Sequence, residues 1–444
     1  MSGADPAGTR PGAMVSASAA LSVPPSFREA LAVWARIGVL SFGGPAAQIA
    51  LMHRIIVDER KWLSEPHYLN ALGFCMLLPG PEAMQLATYA GWRLHGLKGG
   101  LAAGLLFVLP GALVVLALAM IYASFGTLPL ITALFMGVKA AVLVIVLEAL
   151  LRIARRALME PAHWIIAALA FIGIFLLAVP FPVIVLAAAL YGVLSAGRAA
   201  AGPPVTLAAN ASLAGTLRTI AVWLVIWIAP LAAVAAVFGR EHVLAQLGWF
   251  FSKLAVVTFG GAYAVLAYMA EDVAGHHRWL EPGEMMDGLG LAETTPGPLI
   301  LVTEFVGYLA AHRHGGAPAW AMGLLGASVA LWATFTPCFL WIFAGAPYVE
   351  WLNGQPRLKA ALAAITAAVV GVILNLALWF AVYVLFVGVH ETWFGPLRLF
   401  LAESPWPDWR VVALALVSGV LLLRLHWGVV PVLAVAAGLG VVVG

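Results

Sequence analysis

Two helix-breaking motifs recur in this chain at one spacing. Phe42-Gly43-Gly44 returns as Phe259-Gly260-Gly261, and Pro79-Gly80-Pro81 returns as Pro296-Gly297-Pro298, both at an offset of 217 in the numbering (259 − 42 and 296 − 79). All four copies interrupt long apolar runs, where glycine lowers helix stability by about 1 kcal/mol relative to alanine and proline removes a backbone hydrogen bond. Breakers kept in register across an apolar chain mark an internal duplication, and in a membrane protein they mark a transporter built from two similar halves.

The membrane setting follows from composition. Of 444 residues, 63% are hydrophobic and only 10% charged, and mean hydropathy is +1.01, far outside the soluble range. Apolar segments lie near 28–56, 66–95, 99–124, 130–157, 162–179 and 181–197, then one near 219–238, then 245–271, 284–312, 319–346, 357–387, 410–423 and 427–443. The predicted fold is an all-α polytopic membrane protein of about 13 hydrophobic segments, two six-segment repeats joined by one extra helix, with broken helices at the two motifs. If each segment crosses once, seven crossings separate the repeat starts, and the repeats are inverted. Arg93, Lys98, Arg152, Arg155, Arg156, Arg198 and Arg218 then fall on one side, the cytoplasmic one by the positive-inside rule, with Arg60 and Lys61 against the pattern. The N-terminus is expected in the cytoplasm and the C-terminus outside.

The expected organisation is a disordered cytoplasmic tail over 1–25, an N-terminal repeat over 26–198, a linker and connecting helix over 199–240 and a C-terminal repeat over 241–444. Deeper in each half, Pro110 and Glu148 match Pro337 and Asn375 at an offset of 227 (337 − 110 and 375 − 148), the extra length being assigned to a loop over Ala311 to Pro318. Trp62, Trp92, Trp279 and Trp406 are expected in interfacial belts.

A net charge of +3 and a pI near 8.9 argue against a nucleic-acid partner. Two cysteines, Cys75 and Cys338, give no disulfide framework and no zinc spacing, and His276, His277, His312 and His314 show no metal-ligand arrangement. No cofactor is expected. GxxxxGK[ST], HExxH and GxSxG strings are absent, so an enzyme is not expected.

The breaks carry the chemistry instead. Pro45 suits a first helical turn and Glu82 opens the helix after Pro81, so four half-helix N-termini result, each with unpaired N–H groups and about half a positive charge. Arg36 and Lys253 each lie six residues before the Phe of their break; a buried cation costs on the order of 2.5–3.5 kcal/mol, so the pair is expected to be countercharge for a dianion, snorkelling being the alternative. Gln48 and Gln85, followed by Thr258, Thr294, Thr295 and Thr303, supply neutral hydrogen bonds, although membrane threonines often bond their own backbone. Glu82, Glu148 and Glu304 are the proton-coupling candidates; Glu82 could instead cap its half-helix and Glu148 pair with Arg152 at i, i+4.

Ser41-Phe42-Gly43-Gly44-Pro45 with Gln48, and Leu78-Pro79-Gly80-Pro81-Glu82-Ala83 with Gln85, resemble the N-terminal half of the chromate ion transporter (CHR) family, while Thr258-Phe259-Gly260-Gly261 and Thr294-Thr295-Pro296-Gly297-Pro298 resemble its C-terminal half. The resemblance runs from about Arg28 onward and implies the long two-domain form: a bacterial inner-membrane carrier exporting chromate with the proton motive force and giving chromate resistance. Glu304 departs from the neutral amide expected there. The implied partners are chromate or the similar tetrahedral dianion sulfate, protons and membrane lipids; a homodimer is left open. Export agrees with the physics, since moving a dianion out of a negative interior is favoured by about 2 × 2.3 kcal/mol per 100 mV. The rivals are a carrier for sulfate or another oxyanion, a passive anion channel and, further off, an intramembrane enzyme.

Overall fold

The computed structural model describes residues 25–196, 212–259 and 261–444. Most of the expected tail, Arg198, the linker up to residue 211 and Gly260 lie outside the described residues. Seven helices precede the connecting one: α1 (Phe27–Leu40), α2 (Gly44–His53), α3 (Glu65–Leu77), α4 (Glu82–Phe125), α5 (Pro129–Ala157), α6 (Pro161–Phe171) and α7 (Phe181–Ser195). After α8 (Leu213–Phe238) come α9 (Val243–Val257), α10 (Ala262–Glu271), α11 (Pro282–Thr294), α12 (Val302–His314), α13 (Ala319–Gly345), α14 (Val349–Asn353), α15 (Pro356–Leu385), α16 (Trp409–Gly419) and α17 (Val429–Val443). The chain is an all-α polytopic membrane protein, and both motifs break helices as expected.

Element boundaries recur at constant offsets. α3 and α11 begin and end at the offset of the two motifs, α5 and α15 begin at that of Pro110 and Pro337, and α6 with α16 and α7 with α17 share a third. Backbone oddities recur with them: Lys61 and Arg278 have φ of 54° and 52°, and Ala178 and His426 have 49° and 54°. Only half of the stretch expected as an inserted loop is loop, because α12 runs to His314 and α13 starts at Ala319, leaving residues 315–318 between them.

The interrupted segments do not cross the molecule. Arg60, beyond α2, is 2.8 Å from Glu29 at the start of α1, and His53 at the end of α2 is 2.5 Å from Glu65 at the start of α3. Inside α4 the backbone leaves helical geometry at His95 and Gly96; there His95 Nε2 lies 2.8 Å from the Pro25 carbonyl and its ring 5.5 Å from that of Phe27. Thus α1 with α2, and α3 with the first arm of α4, form two re-entrant hairpins whose open ends share one end of the molecule, called proximal here. Only the second arm of α4, residues 97–125, runs on from it. In the second half His242 meets the Gly315 carbonyl at 3.2 Å and Arg313 holds Glu284 at 2.5 and 2.7 Å, so α9 to α12 form two more hairpins. These open at the opposite, distal end: an atom added at Gly100 or Gly104, near the start of the α4 second arm, would strike Phe343 or Phe339, near the end of α13.

One element is added to the all-α fold and two further expectations are corrected. A short hairpin, β1 (Val389–Phe394) and β2 (Leu397–Ala402), pairs antiparallel between α15 and α16, and among the described residues the second half alone carries it. Buried Arg398 on β2 binds the Glu271 carboxylate at the end of α10 and donates to the Ile174 and Phe175 carbonyls at 2.6 and 3.2 Å, so the hairpin straps the distal end. Trp62 and Trp279 sit in the core at 6% and 5% exposure rather than in a belt, whereas Trp406 is exposed. Arg60 and Lys61 cease to be exceptions, because a segment that doubles back leaves them at the proximal end with Arg93 and Lys98.

Candidate functional site

Each break of one half meets a break of the other. Gly80 N–H donates to the Thr258 carbonyl at 2.9 Å and Gly297 N–H donates to the Ser41 carbonyl at 2.8 Å, two bonds related by the repeat of the motifs. Their carbonyl partners are set alike: the Ser41 hydroxyl donates to Ile37 O at 2.7 Å and the Thr258 hydroxyl to Leu254 O at 2.5 Å. With α1 and α9 of 14 and 15 residues entering from opposite ends, the crossing lies about 20 Å from each at 1.5 Å rise per residue.

The backbone there requires glycine. Gly80 and Gly297 have φ of 119° and 90°, a region side chains avoid. A Cβ on Gly80 would stand 2.8 Å from Gln85 Nε2 and 2.9 Å from Cys338 Sγ; the matching contact at Gly297 comes from Gly111, whose own Cβ would strike the Pro296 carbonyl oxygen at 2.0 Å. Gly111 and Cys338 are counterparts in the register that also matches Pro110 with Pro337, so each Pro-Gly-Pro loop packs against the long helix of the other half.

All four half-helices start without a side-chain cap: Gly43 before α2, Pro81 before α4, Gly261 before α10 and Pro298 before the 3₁₀ turn leading into α12. Their N–H groups and dipoles are the positive features of the crossing. Around them, Gln48 donates to the Gly297 carbonyl at 2.6 Å and the Ser41 carbonyl at 3.3 Å, and Gln85 to the Pro79 carbonyl at 2.7 Å. Both amide oxygens are buried without a partner among the described residues. Thr258, Thr294, Thr295 and Thr303 all turn their hydroxyls onto carbonyls three or four residues back. Of the rest of the predicted set, Phe42, Gly43, Pro79, Pro81, Phe259, Gly261, Pro296 and Pro298 form the loops themselves, and Gly44 and Pro45 are the first residues of α2.

The two predicted cations are not gathered at the crossing. Arg36 is exposed on α1. Lys253 lies 3.8 Å from Asp272 and over the rings of Phe250 and Tyr268, at the edge of a cleft of about 310 Å³ that it lines with Arg240, Gln246, Trp249 and His277. Glu82 is the first residue of α4, and a Cβ on Gly261 would stand 3.9 Å from its Oε1, placing the carboxylate at the start of α10. Glu148 pairs with Arg152 at 3.5 Å. Glu304 is 1% exposed and its Oε2 has no partner among the described residues.

Other charged groups escaped the sequence reasoning. Glu293 is fully enclosed and accepts from the Tyr263 hydroxyl at 2.6 Å, with Arg152 and Glu148 as the next charges. Asp287 accepts from the Tyr122 hydroxyl at 2.8 Å and lies 3.3 Å from Lys139. Each belongs to one half only: the counterparts of Asp287 and Glu293 are Asn70 and Met76, and that of Lys139 is Thr366. The available signal was an ionisable residue deep in an apolar run.

A family model described as chromate transporter matches residues 28–193 and 245–442, both halves of the chain. The chain belongs to the chromate transporter family. It is 35% identical to a chromate transport protein of Pseudomonas aeruginosa over 79% of this chain and 81% of that protein, and 31% identical to one of Cupriavidus metallidurans over 78% and 81%. An uncharacterized transporter of Bacillus subtilis, YwrA, is 34% identical over 109 residues, 24% of this chain and 61% of that protein. No solved structure matches. Within this family, then, the chain presents a crossing of uncapped half-helices lined by backbone and neutral amides.

Proposed function

We propose that this chromate transporter family member exports chromate from the bacterial cytoplasm in exchange for entering protons, as a secondary carrier of the inner membrane that gives chromate resistance. The observation that carries the proposal is the exchanged pair of backbone bonds, Gly80 to Thr258 and Gly297 to Ser41, which joins four uncapped helix starts. A tetrahedral dianion suits such a site: it accepts several N–H groups and is held by dipoles rather than by one fixed cation, so it can leave again. The names of the relatives point to chromate among such dianions.

In this proposal residues 26–198 and 241–444 are repeats of opposite orientation joined by 199–240. Among the described residues five segments are long and apolar enough to cross a membrane: α4, α5, α8, Ala319–Asn353 and α15. With α6, α7, α16 and α17, each read as crossing together with any π-helical turn that follows it, the chain crosses nine times and its ends face opposite sides. Arg28, Arg60, Lys61, Arg93, Lys98, Arg155 and Arg156 make the proximal end the more basic, hence cytoplasmic. Lys253 and Arg36 act as countercharges in the two vestibules rather than at the crossing, and Glu82, Glu148 and Glu293, near the start of α10, are the groups for proton exchange.

Uptake of labelled chromate into everted vesicles, with and without an imposed proton gradient and with sulfate as competitor, tests the proposal. Gradient-dependent accumulation abolished by a protonophore is expected. Flux indifferent to the gradient makes the protein a channel or uniporter; absence of chromate flux alongside sulfate or molybdate flux makes it a carrier for another oxyanion.

A further inference from the structure

The Lys139–Asp287 pair joins the two halves at one end of the molecule only. Tyr122 and Lys139 come from α4 and α5 of the first half and Asp287 from α11 of the second. Asp287 lies five residues into α11, about 7.5 Å below the distal end by helical rise, and its side chain is 4% exposed against 26% for Lys139. Tyr122 is held edge-on between Phe135 and Phe305, each 5.2 Å away, so its hydroxyl is aimed. Both of the named bonds end on Asp287 Oδ2, while Oδ1 is buried without a partner among the described residues. At the proximal end the corresponding positions are Asn70, Val349 and Thr366, which carry no charge.

We infer that Asp287 is a proton-operated latch on the distal side of the carrier: a proton arriving from the distal aqueous phase binds Asp287, releases Lys139 and lets the distal side open. The new O–H bond forms on Oδ1, the carboxylate becomes neutral, and Lys139 keeps its charge as a countercharge for a departing dianion. Closing reverses the step: Asp287 loses the proton and the ion pair re-forms. The other charges near Asp287 are Glu284 on its own helix and Arg313 of α12, already committed to Glu284 at 2.5 and 2.7 Å; of the other helices packed on α11, α17 has no titratable residue within its bounds and α15 brings Tyr383 at its distal end. Asp287 fits this role better than Glu293 or Glu304, because among the described residues it alone of the three has a cation within ion-pair distance. The latch rests on the carrier function proposed above: it returns its proton to the distal phase and so gates that side, while the net proton movement that drives export is left to Glu82, Glu148 and Glu293.

The experiment reads opening without substrate. Thr294→Cys, on α11 beneath the latch, is labelled from the distal side with an impermeant thiol reagent, and its rate is divided by that of the exposed control Trp406→Cys, so that thiol ionisation cancels. Acidifying the distal side should raise this ratio by up to about tenfold per pH unit, the limit for one titrating group. In Asp287→Asn and in Lys139→Met the ratio should be high and independent of pH. A ratio unaffected by pH in the parent protein, or the parent's pH dependence surviving in Asp287→Asn, overturns the latch. Should Asp287→Asn fail to accumulate, Lys139→Met gives the same decision. Chromate flux in vesicles is scored separately: no flux with a pH-operated ratio sinks the proposed substrate and keeps the latch, and flux with a pH-blind ratio does the reverse.

Discussion

The two pairs of re-entrant hairpins share a backbone and differ in what surrounds it. At the first-half break Phe42, Gly43, Ala46 and Ala47 are exposed; in the second half every residue from Ala262 to Ala270 and from Thr295 to Ala311 is buried. The first half offers neutral amides, Gln48 and Gln85, where the second has Val265 and Val302; the second offers Asp287, Glu293 and Glu304 where the first has Asn70, Met76 and Ala87. Around similar backbones, side chains make the first half the more accessible, with two neutral amides beside Glu82, and the second the more enclosed, with three further carboxylates. The Arg398 strap and the Lys139–Asp287 pair both lie at the distal end.

Substitutions that treat the halves unequally test this division. The largest effect is expected for Gly111→Ala, because its Cβ would stand 2.0 Å from the backbone oxygen of Pro296, which cannot swing away; a loss of about 3 kcal/mol or more follows, seen as failure to accumulate folded protein in the membrane. Its counterpart Cys338 already carries a side chain, so Cys338→Ala should accumulate normally; equal damage from both would erase the distinction. Next comes Gln48→Leu, which removes the bonds to Gly297 O and Ser41 O, worth about 1 kcal/mol each; vesicle flux should fall at least tenfold while the protein still inserts. Arg36→Ala should lower flux by about tenfold, on the order of 1.4 kcal/mol, and more than Lys253→Ala, since Lys253 is already offset by Asp272 at 3.8 Å. The reverse ranking would mean that the buried half supplies the countercharge. The smallest effect belongs to Glu304→Gln, which preserves shape and leaves a neutral group where no partner is lost; flux should stay within about twofold, and a pH profile displaced by this change would instead put Glu304 in the proton path.

Much of what both halves share was legible in the sequence, because a repeated signal stands out: the four breaks, the helix starts read at Pro45, one residue after the observed Gly44, and at Glu82, and the matched α5 and α15. What one half holds alone was not. Lys139 and Asp287 lie in runs that hydropathy reads as plain helix, and the β-hairpin falls in a gap with no counterpart, although its Thr, Trp and Phe around a Gly-Pro turn are a strand signal. Hydropathy also could not tell a crossing from a doubling back, since two half-helices around a break have the apolar length of one span. Contacts such as Glu29 with Arg60 decide it, and they depend on the third dimension.

The crossing also fixes an order of events at the ribosome. The carbonyl of Ser41 and the N–H of Gly80 have their partners far downstream, at Gly297 and Thr258 in the other half of the chain. At a synthesis rate of about 5–20 residues per second, those partners emerge roughly 10 to 50 s later. Until then the first two hairpins stand half-finished, with exposed peptide groups that hydrocarbon penalises by several kcal/mol each. They must wait in the insertion machinery or at the bilayer surface, so the N-terminal hairpins are the first to be made and among the last to settle.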